Sequence, residues 1–334
     1  MKTLCLALLL SGVMTSAARA DAPVFDAHWD PGAEDCSKQA HPPLEVYRYD
    51  ARTYVIREDL CSTWEAPFIY LLIGDERALL IDTGDVADPK LMPLADTVLA
   101  LLPQHDGKRL PLTVVHSHTH LDHRAGDPQF QGLADVQVVP AQLPSVKKFF
   151  GFTHWPEGVT QFNLGDRIVD VLPAPGHNPA HLLFYDRVTD LLFSGDFLLP
   201  ARLIVDDIDA YRASARRVME FLRERPVSYV LGGHIEEDRA GRLYDWQSSY
   251  HPDERALPLA KSDVMALPAA LDAFDDIFVS EQGGFTIIDS MHELEALAAA
   301  AVLALLGLGY GIYRRVRRVR RVRRRRIAGT GAPQ

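Results

Sequence analysis

His118-Thr119-His120-Leu121-Asp122-His123 is the stretch whose reading decides this chain. It puts three imidazoles and a carboxylate on a short loop directly after the apolar run Leu112-Thr113-Val114-Val115, which reads as a buried strand. Imidazole and carboxylate are the groups that zinc, iron and manganese accept as ligands. An ordinary surface gains nothing from crowding such groups together, whereas a divalent cation is stabilised by all of them.

A single loop rarely closes a catalytic centre, so partners are sought at other strand ends. His177 ends Ala174-Pro175-Gly176-His177, Asp196 follows Leu192-Phe193-Ser194-Gly195, and His234 follows Val230-Leu231-Gly232-Gly233. Each is preceded by a glycine, where a backbone without Cβ turns sharply and lets a side chain face a shared cleft. Strands are read at 44–49, 53–57, 68–73, 78–81, 112–115, 136–139, 162–164, 167–172, 182–185, 191–194 and 227–231. Helices are read at 89–102, 208–225 and near 264–274. Strands followed by a helix, twice over, imply a layered α/β sandwich built of two related halves.

The order His-x-His-x-Asp-His, Gly-His, Gly-Asp, Gly-His resembles the metallo-β-lactamase superfamily over roughly residues 44–236, and Asp82-Thr83-Gly84 matches its early strand-end motif. That resemblance implies the α/β class, as a four-layered αβ/βα sandwich with a two-metal site. Carried over position by position, it implies that His118, His120 and His177 hold one cation and that Asp122, His123 and His234 hold the other. Asp196 would bridge them, Asp122 would also be catalytic by handling the proton, and Asp82 would be structural. Two cations about 3.5–4 Å apart share a water, lower its pKa towards neutrality and polarise the substrate oxygen. Zinc suits these ligands, with iron and manganese chemically open. Starting the motif at His116 leaves no Asp-His pair at the required offset, so His116 is read as a supporting or strand-end histidine. His28, His41, His105, His251 and His292 read as surface residues; His154 and His181 read as surface or core residues that could line the cleft.

Both ends point to a membrane. Residues 1–20 read as a signal peptide, with Lys2, an apolar run from Leu4 to Val13 and Ala18-Arg19-Ala20 before Asp21. Residues 21–43 form a Pro- and Asp-rich arm, 44–245 the metal-binding domain and 246–293 a C-terminal extension. Residues 294–313 read as a transmembrane helix, uncharged from Ala296 to Tyr313, and 314–334 as a cytoplasmic tail rich in arginine. The chain is thus expected in the cytoplasmic membrane, spanning once, with its body on the periplasmic side. Setting aside Lys2, Arg19 and the ten arginines of the tail leaves 23 basic against 45 acidic side chains. Such a body disfavours nucleic acid and other polyanions as partners and leaves a small-molecule substrate. In an oxidising compartment Cys36 and Cys61 are expected to form a disulfide.

The fold alone does not name a substrate. Within the resemblance, a bridging aspartate at 196 disfavours the better-known zinc β-lactamases, and histidine at 120 disfavours the diiron flavoprotein branch. Arg202 is a candidate to meet a substrate carboxylate or phosphate. The expectation is a membrane-anchored, exported hydrolase of an ester, thioester or lactone. A phosphodiesterase acting on a small or lipid-linked phosphate, and a metal-dependent binding or sensor module, are the alternatives.

Overall fold

The computed structural model describes residues 22–38, 41–274 and 279–329; the signal-peptide reading falls outside them. The first sheet contains β1 (Leu44–Arg48), β2 (Thr53–Glu58), β3 (Phe68–Ile73) and β4 (Ala78–Ile81), successive antiparallel neighbours. After α1 (Leu94–Leu101) come a short hairpin of β5 (Gln104–His105) and β6 (Lys108–Arg109), then β7 (Leu112–Val115). With α2 (Asp127–Phe130) between them, β7 and β8 (Val136–Val138) extend that sheet in parallel, giving the order β1-β2-β3-β4-β7-β8. The helix α3 (Leu143–Phe150) leads to the second sheet, made of β9 (Thr160–Asn163), β10 (Ile168–Pro173), β11 (Leu182–Asp186) and β12 (Leu191–Gly195). Past β13 (Arg202–Val205) and α4 (Ile208–Leu222), β14 (Tyr229–Gly232) joins β12 in parallel, for an order β14-β12-β11-β10-β9.

Residue alternation layers the body. Along β3, Phe68, Tyr70 and Leu72 enter one apolar cluster, whereas Ile69, Leu71 and Ile73 enter another. A period of two does this wherever both faces of a sheet are covered. The first cluster also takes Val169, Val171, Phe184 and Phe193 from the second sheet, so it is the core between the sheets. The second is roofed by Leu94, Val98 and Phe130 of α1 and α2. On the far side, Leu183, Tyr185, Leu192 and Val230 pack against Tyr211, Ala215, Val218 and Leu222 of α4. The result is helix, sheet, sheet, helix.

Several boundaries differ from the sequence reading for identifiable reasons. The first helix begins at Leu94, not 89, because Pro93 inside it would have no N–H to give Pro89. The helix α4 stops at Leu222, short of 225, because Arg225 precedes Pro226 and is biased away from helical backbone. The helix α3 had no counterpart in the reading; its eight residues carry Pro144 in the first turn and are capped by Gly151 in the left-handed region.

The 246–293 stretch is woven into the body. Here α5 (Lys261–Ala273) packs on α4, and Leu259 bridges to Val230. Strands β15 (Val279–Gln282) and β16 (Phe285–Asp289) form a small sheet with β13, in which β16 runs parallel to β13 with Ile288 opposite Ile204. From β16 the chain passes directly into α6 (Ser290–Gly329). Within its segment Glu295–Arg318 an 18-residue stretch has a mean hydropathy of 1.9 and is uncovered by the body, and the segment is long and apolar enough to cross a membrane. The arm at 22–38 lies on the surface, pegged by Phe25 against Tyr47 and Trp29 against Phe68.

Candidate metal centre

All the nominated ligands sit where strands end on one edge of the two sheets. Backbone geometry at two glycines lets them meet. A Cβ on Gly233 would stand 2.2 Å from Asp196 Oδ1, and a Cβ on Gly176, whose φ is +147°, would stand 2.5 Å from the Tyr211 backbone. Any larger residue would push the ligands apart or lift the loop off α4.

The side chains form two adjoining clusters, one of His118, His120 and His177 and the other of Asp122, His123, Asp196 and His234. Within each, the candidate ligand atoms lie within 4.8 Å of one another. In the first, His177 Nε2 is 3.3 Å from His118 Nε2 and 3.1 Å from His120 Nδ1. In the second, Asp122 Oδ2 is 3.0 Å from His123 Nε2 and 3.2 Å from His234 Nε2. Asp196 lies between the clusters. Its Oδ1 faces His123 and His234 at 3.4 and 3.6 Å, while its Oδ2 faces His118 and His177 at 3.8 and 3.6 Å.

The far nitrogens fix which atom each ring offers. His177 Nδ1 lies 2.8 Å from the Ile204 carbonyl and His234 Nδ1 2.7 Å from the Glu65 carbonyl. A carbonyl only accepts, so each Nδ1 carries the proton and, in the neutral ring, Nε2 keeps its lone pair for the centre. Asp82, whose φ is +70°, accepts from Ser117 N at 2.6 Å, Ser117 Oγ at 2.8 Å and His123 Nδ1 at 2.9 Å. Ser117 Oγ, its proton so committed, accepts from His118 Nδ1 at 3.0 Å. One buried carboxylate at the end of β4 thereby orients a ligand in each cluster.

Electrostatics separates the two clusters. Burial, reinforced by the neighbouring His123 and His177, holds His118 well below its ordinary value. Burial opposes protonation of His234 too, but the charge of Asp196 and the hydrogen bond His234 donates to Asp122 push it up to about 10. Against the cost of burial, His123 and His234 hold Asp122 and Asp196 below the usual carboxylate range. A field that would hold protons on buried imidazoles equally stabilises a cation. His118 Nε2 and His177 Nε2, left with lone pairs by the bonds their Nδ1 atoms donate, stand 3.3 Å apart and repel unless a positive charge lies between them. Asp196 Oδ1 is buried without a hydrogen-bond partner. The donor set fits divalent cations on all three grounds.

Other nominated residues fall elsewhere. Arg202 gives its guanidinium to Glu236 Oε2 at 2.8 Å and the Tyr244 carbonyl at 2.7 Å, over the ring of Trp246. These contacts brace the segment after His234 and occupy the fork that a substrate anion would need. His116 supports the loop from the end of β7, its Nε2 2.8 Å from Asp127 Oδ1. His181 lines no cleft; it is fully buried, stacked on His118. Two histidines read as surface residues are buried: His251 stacks on Tyr244, and the side chain of His41 is 2% exposed against Asp30. The supporting carbonyls of Glu65 and Ile204 left no trace in the sequence, since any residue type supplies a carbonyl. Cys36 and Cys61 are joined as a disulfide, their Cα atoms 5.4 Å apart.

Comparison with known proteins accords with this geometry. The family model described as the metallo-beta-lactamase superfamily matches residues 62–234. Acyl-coenzyme A thioesterase MBLAC2 of Gallus gallus is 28% identical over 63% of this chain and 86% of its own length. The protein of the same name from Homo sapiens is 28% identical over 58% of this chain and 82% of its own. A hydroxyacylglutathione hydrolase of Stenotrophomonas maltophilia (strain R551-3) is 28% identical over 61% of this chain and 76% of its own. The family match spans just over half the chain and runs from the disulfide loop to the last ligand, so this protein belongs to the metallo-beta-lactamase superfamily and is one of its metallo-hydrolases.

Proposed function

We propose that this protein hydrolyses a thioester of a small acyl group with a pair of divalent cations, zinc by preference. One cation would be held by His118, His120 and His177, the other by Asp122, His123 and His234, with Asp196 shared. The observation that carries this reading is Asp196, with one carboxylate oxygen turned to each cluster. The relatives named for thioester hydrolysis supply the substrate class over ester, lactone and phosphodiester.

When bound, such cations supply an electrophile for the substrate carbonyl and acidify a water. The remaining work falls to the chain. Asp122, its side chain partly open to solvent and its Oδ2 in the cluster, takes the proton of the attacking water on its other oxygen in this reading. The same oxygen then returns that proton to the departing sulfur. Asp82, Ser117 and the carbonyls of Ile204 and Glu65 hold the imidazoles in one tautomer, so little reorganisation accompanies the charge that develops.

The same reading places the body outside the cytoplasm, tethered by α6, with the arginines after Tyr313 on the cytoplasmic side. The test is a panel of thioesters, esters, lactones and phosphodiesters given to the full chain and to Asp122→Ala, with metal content measured on both. Thioesters should turn over fastest, and Asp122→Ala should lose at least about a hundredfold of that rate. Faster phosphodiester cleavage would transfer the assignment to that class. Metal-loaded protein that hydrolyses nothing would turn it into a binding module.

A further inference from the structure

A second constellation of ligand atoms lies well apart in sequence from the metal centre, beneath the N-terminal arm. A ring nitrogen of His41, a carboxylate oxygen of Asp59 and the sulfur of Cys61 fall within 4.8 Å of one another. Two facts mark this as more than a chance grouping. His41 Nε2 and Asp59 Oδ1 are both buried with no hydrogen-bond partner, in side chains at least nine-tenths covered. Each such orphan destabilises the fold unless something fills the space between them. His41 is also aimed: its Nδ1 lies 3.0 Å from Asp30 Oδ2. A carboxylate on the far nitrogen of an imidazole is the arrangement that presents the near lone pair to a cation.

What withholds the third ligand is the bond from Cys61 to Cys36. A disulfide sulfur is a poor ligand, whereas a thiolate is among the best for zinc. We propose that His41, Asp59 and Cys61 form a metal site that opens when the Cys36–Cys61 disulfide is reduced and closes when it forms. The reduction is a two-electron exchange: a dithiol gives up two electrons and two protons, the sulfur–sulfur bond breaks, two cysteine thiols result, and the dithiol leaves as its own disulfide. A divalent cation then displaces the proton of the Cys61 thiol. It meets one thiolate, one carboxylate and one neutral imidazole, which together cancel its charge, and solvent takes the fourth position. Reoxidation reverses both steps and expels the ion.

The ligand class makes the test clean, because the centre between the sheets contains no sulfur. Cobalt(II) is added to the full chain, oxidised, dithiol-reduced, and as Cys36→Ser, in which Cys61 stays a thiol without any reductant. A thiolate-to-cobalt charge-transfer band should be absent from the oxidised protein and present in the other two. Adding His41→Ala or Asp59→Ala to Cys36→Ser should weaken cobalt binding, read from that band, at least tenfold. Retained hydrolysis at the other centre shows that each variant is folded. The proposal is overturned if neither reduced protein nor Cys36→Ser gives the band, or if the band persists at unchanged affinity without His41 and Asp59.

Discussion

The two halves of the metal centre both rest on imidazoles but solve opposite electrostatic problems. The His118, His120 and His177 cluster is all imidazole, and burial keeps His118 neutral. The Asp122, His123 and His234 cluster carries surplus negative charge, which raises His234 to about 10. The first is therefore ready for a cation at neutral pH, while the second must release the protons of His123 and His234 to accept one. Their supports differ as well. Ile204, which holds His177, lies on β13 beside the strand that becomes α6. Glu65, which holds His234, lies in the loop between β2 and β3 that the disulfide pins at Cys61.

The harshest way to break the comparison is to remove the residue that both halves share. Asp196→Ala should cost at least about a thousandfold in hydrolysis and lower the metal content of both clusters. Metal analysis beside steady-state rates checks this, and full activity would sink the bridging role. Next in size is Gly233→Ala, whose new methyl would collide with His123 and with Asp196 Oδ1, the oxygen turned to the second cluster. It should empty the second cluster selectively, so elemental analysis should find about half the wild-type metal. Asp82→Asn should be milder, about ten- to a hundredfold in metal affinity, because it disturbs orientation and not ligation.

Acidity sharpens the contrast without mutation. At pH 7 a cation entering the second cluster displaces the protons that Asp122 and Asp196 hold on His123 and His234. Its affinity should climb more than tenfold, up to about a hundredfold, per pH unit from 7 to 9, whereas that of the first cluster stays nearly flat. Competitive titration against a metal indicator reads both, and equal slopes would remove the distinction. The smallest effect lies behind the second cluster, at Glu58 under Gly84. Burial, with the charges of Asp85 and Asp122, pushes Glu58 up to about 8. Between its ordinary value and 8 the folded form holds a proton that the unfolded form has lost, so stability falls as pH rises through that window. Glu58→Gln should flatten the fall and be more stable than wild type at pH 8 by on the order of 1 kcal/mol or more, measured by thermal unfolding.

The sequence by itself was enough for the layers and the ligand order. Alternation along Phe68–Ile73 and Leu182–Asp186, glycines at strand exits and the histidine loop are local signals, each set by a period of two or by a residue type that chemistry restricts. Tertiary structure alone decided how the ligands are aimed. The carbonyls of Glu65 and Ile204 reach across 169 and 27 residues to do it. Arg202 became a brace for the same reason: its partner Glu236 comes close only when β13 and the segment after His234 are packed together. Backbone carbonyls carry no residue signature, and whether an arginine is free or paired depends on which segments the fold makes neighbours.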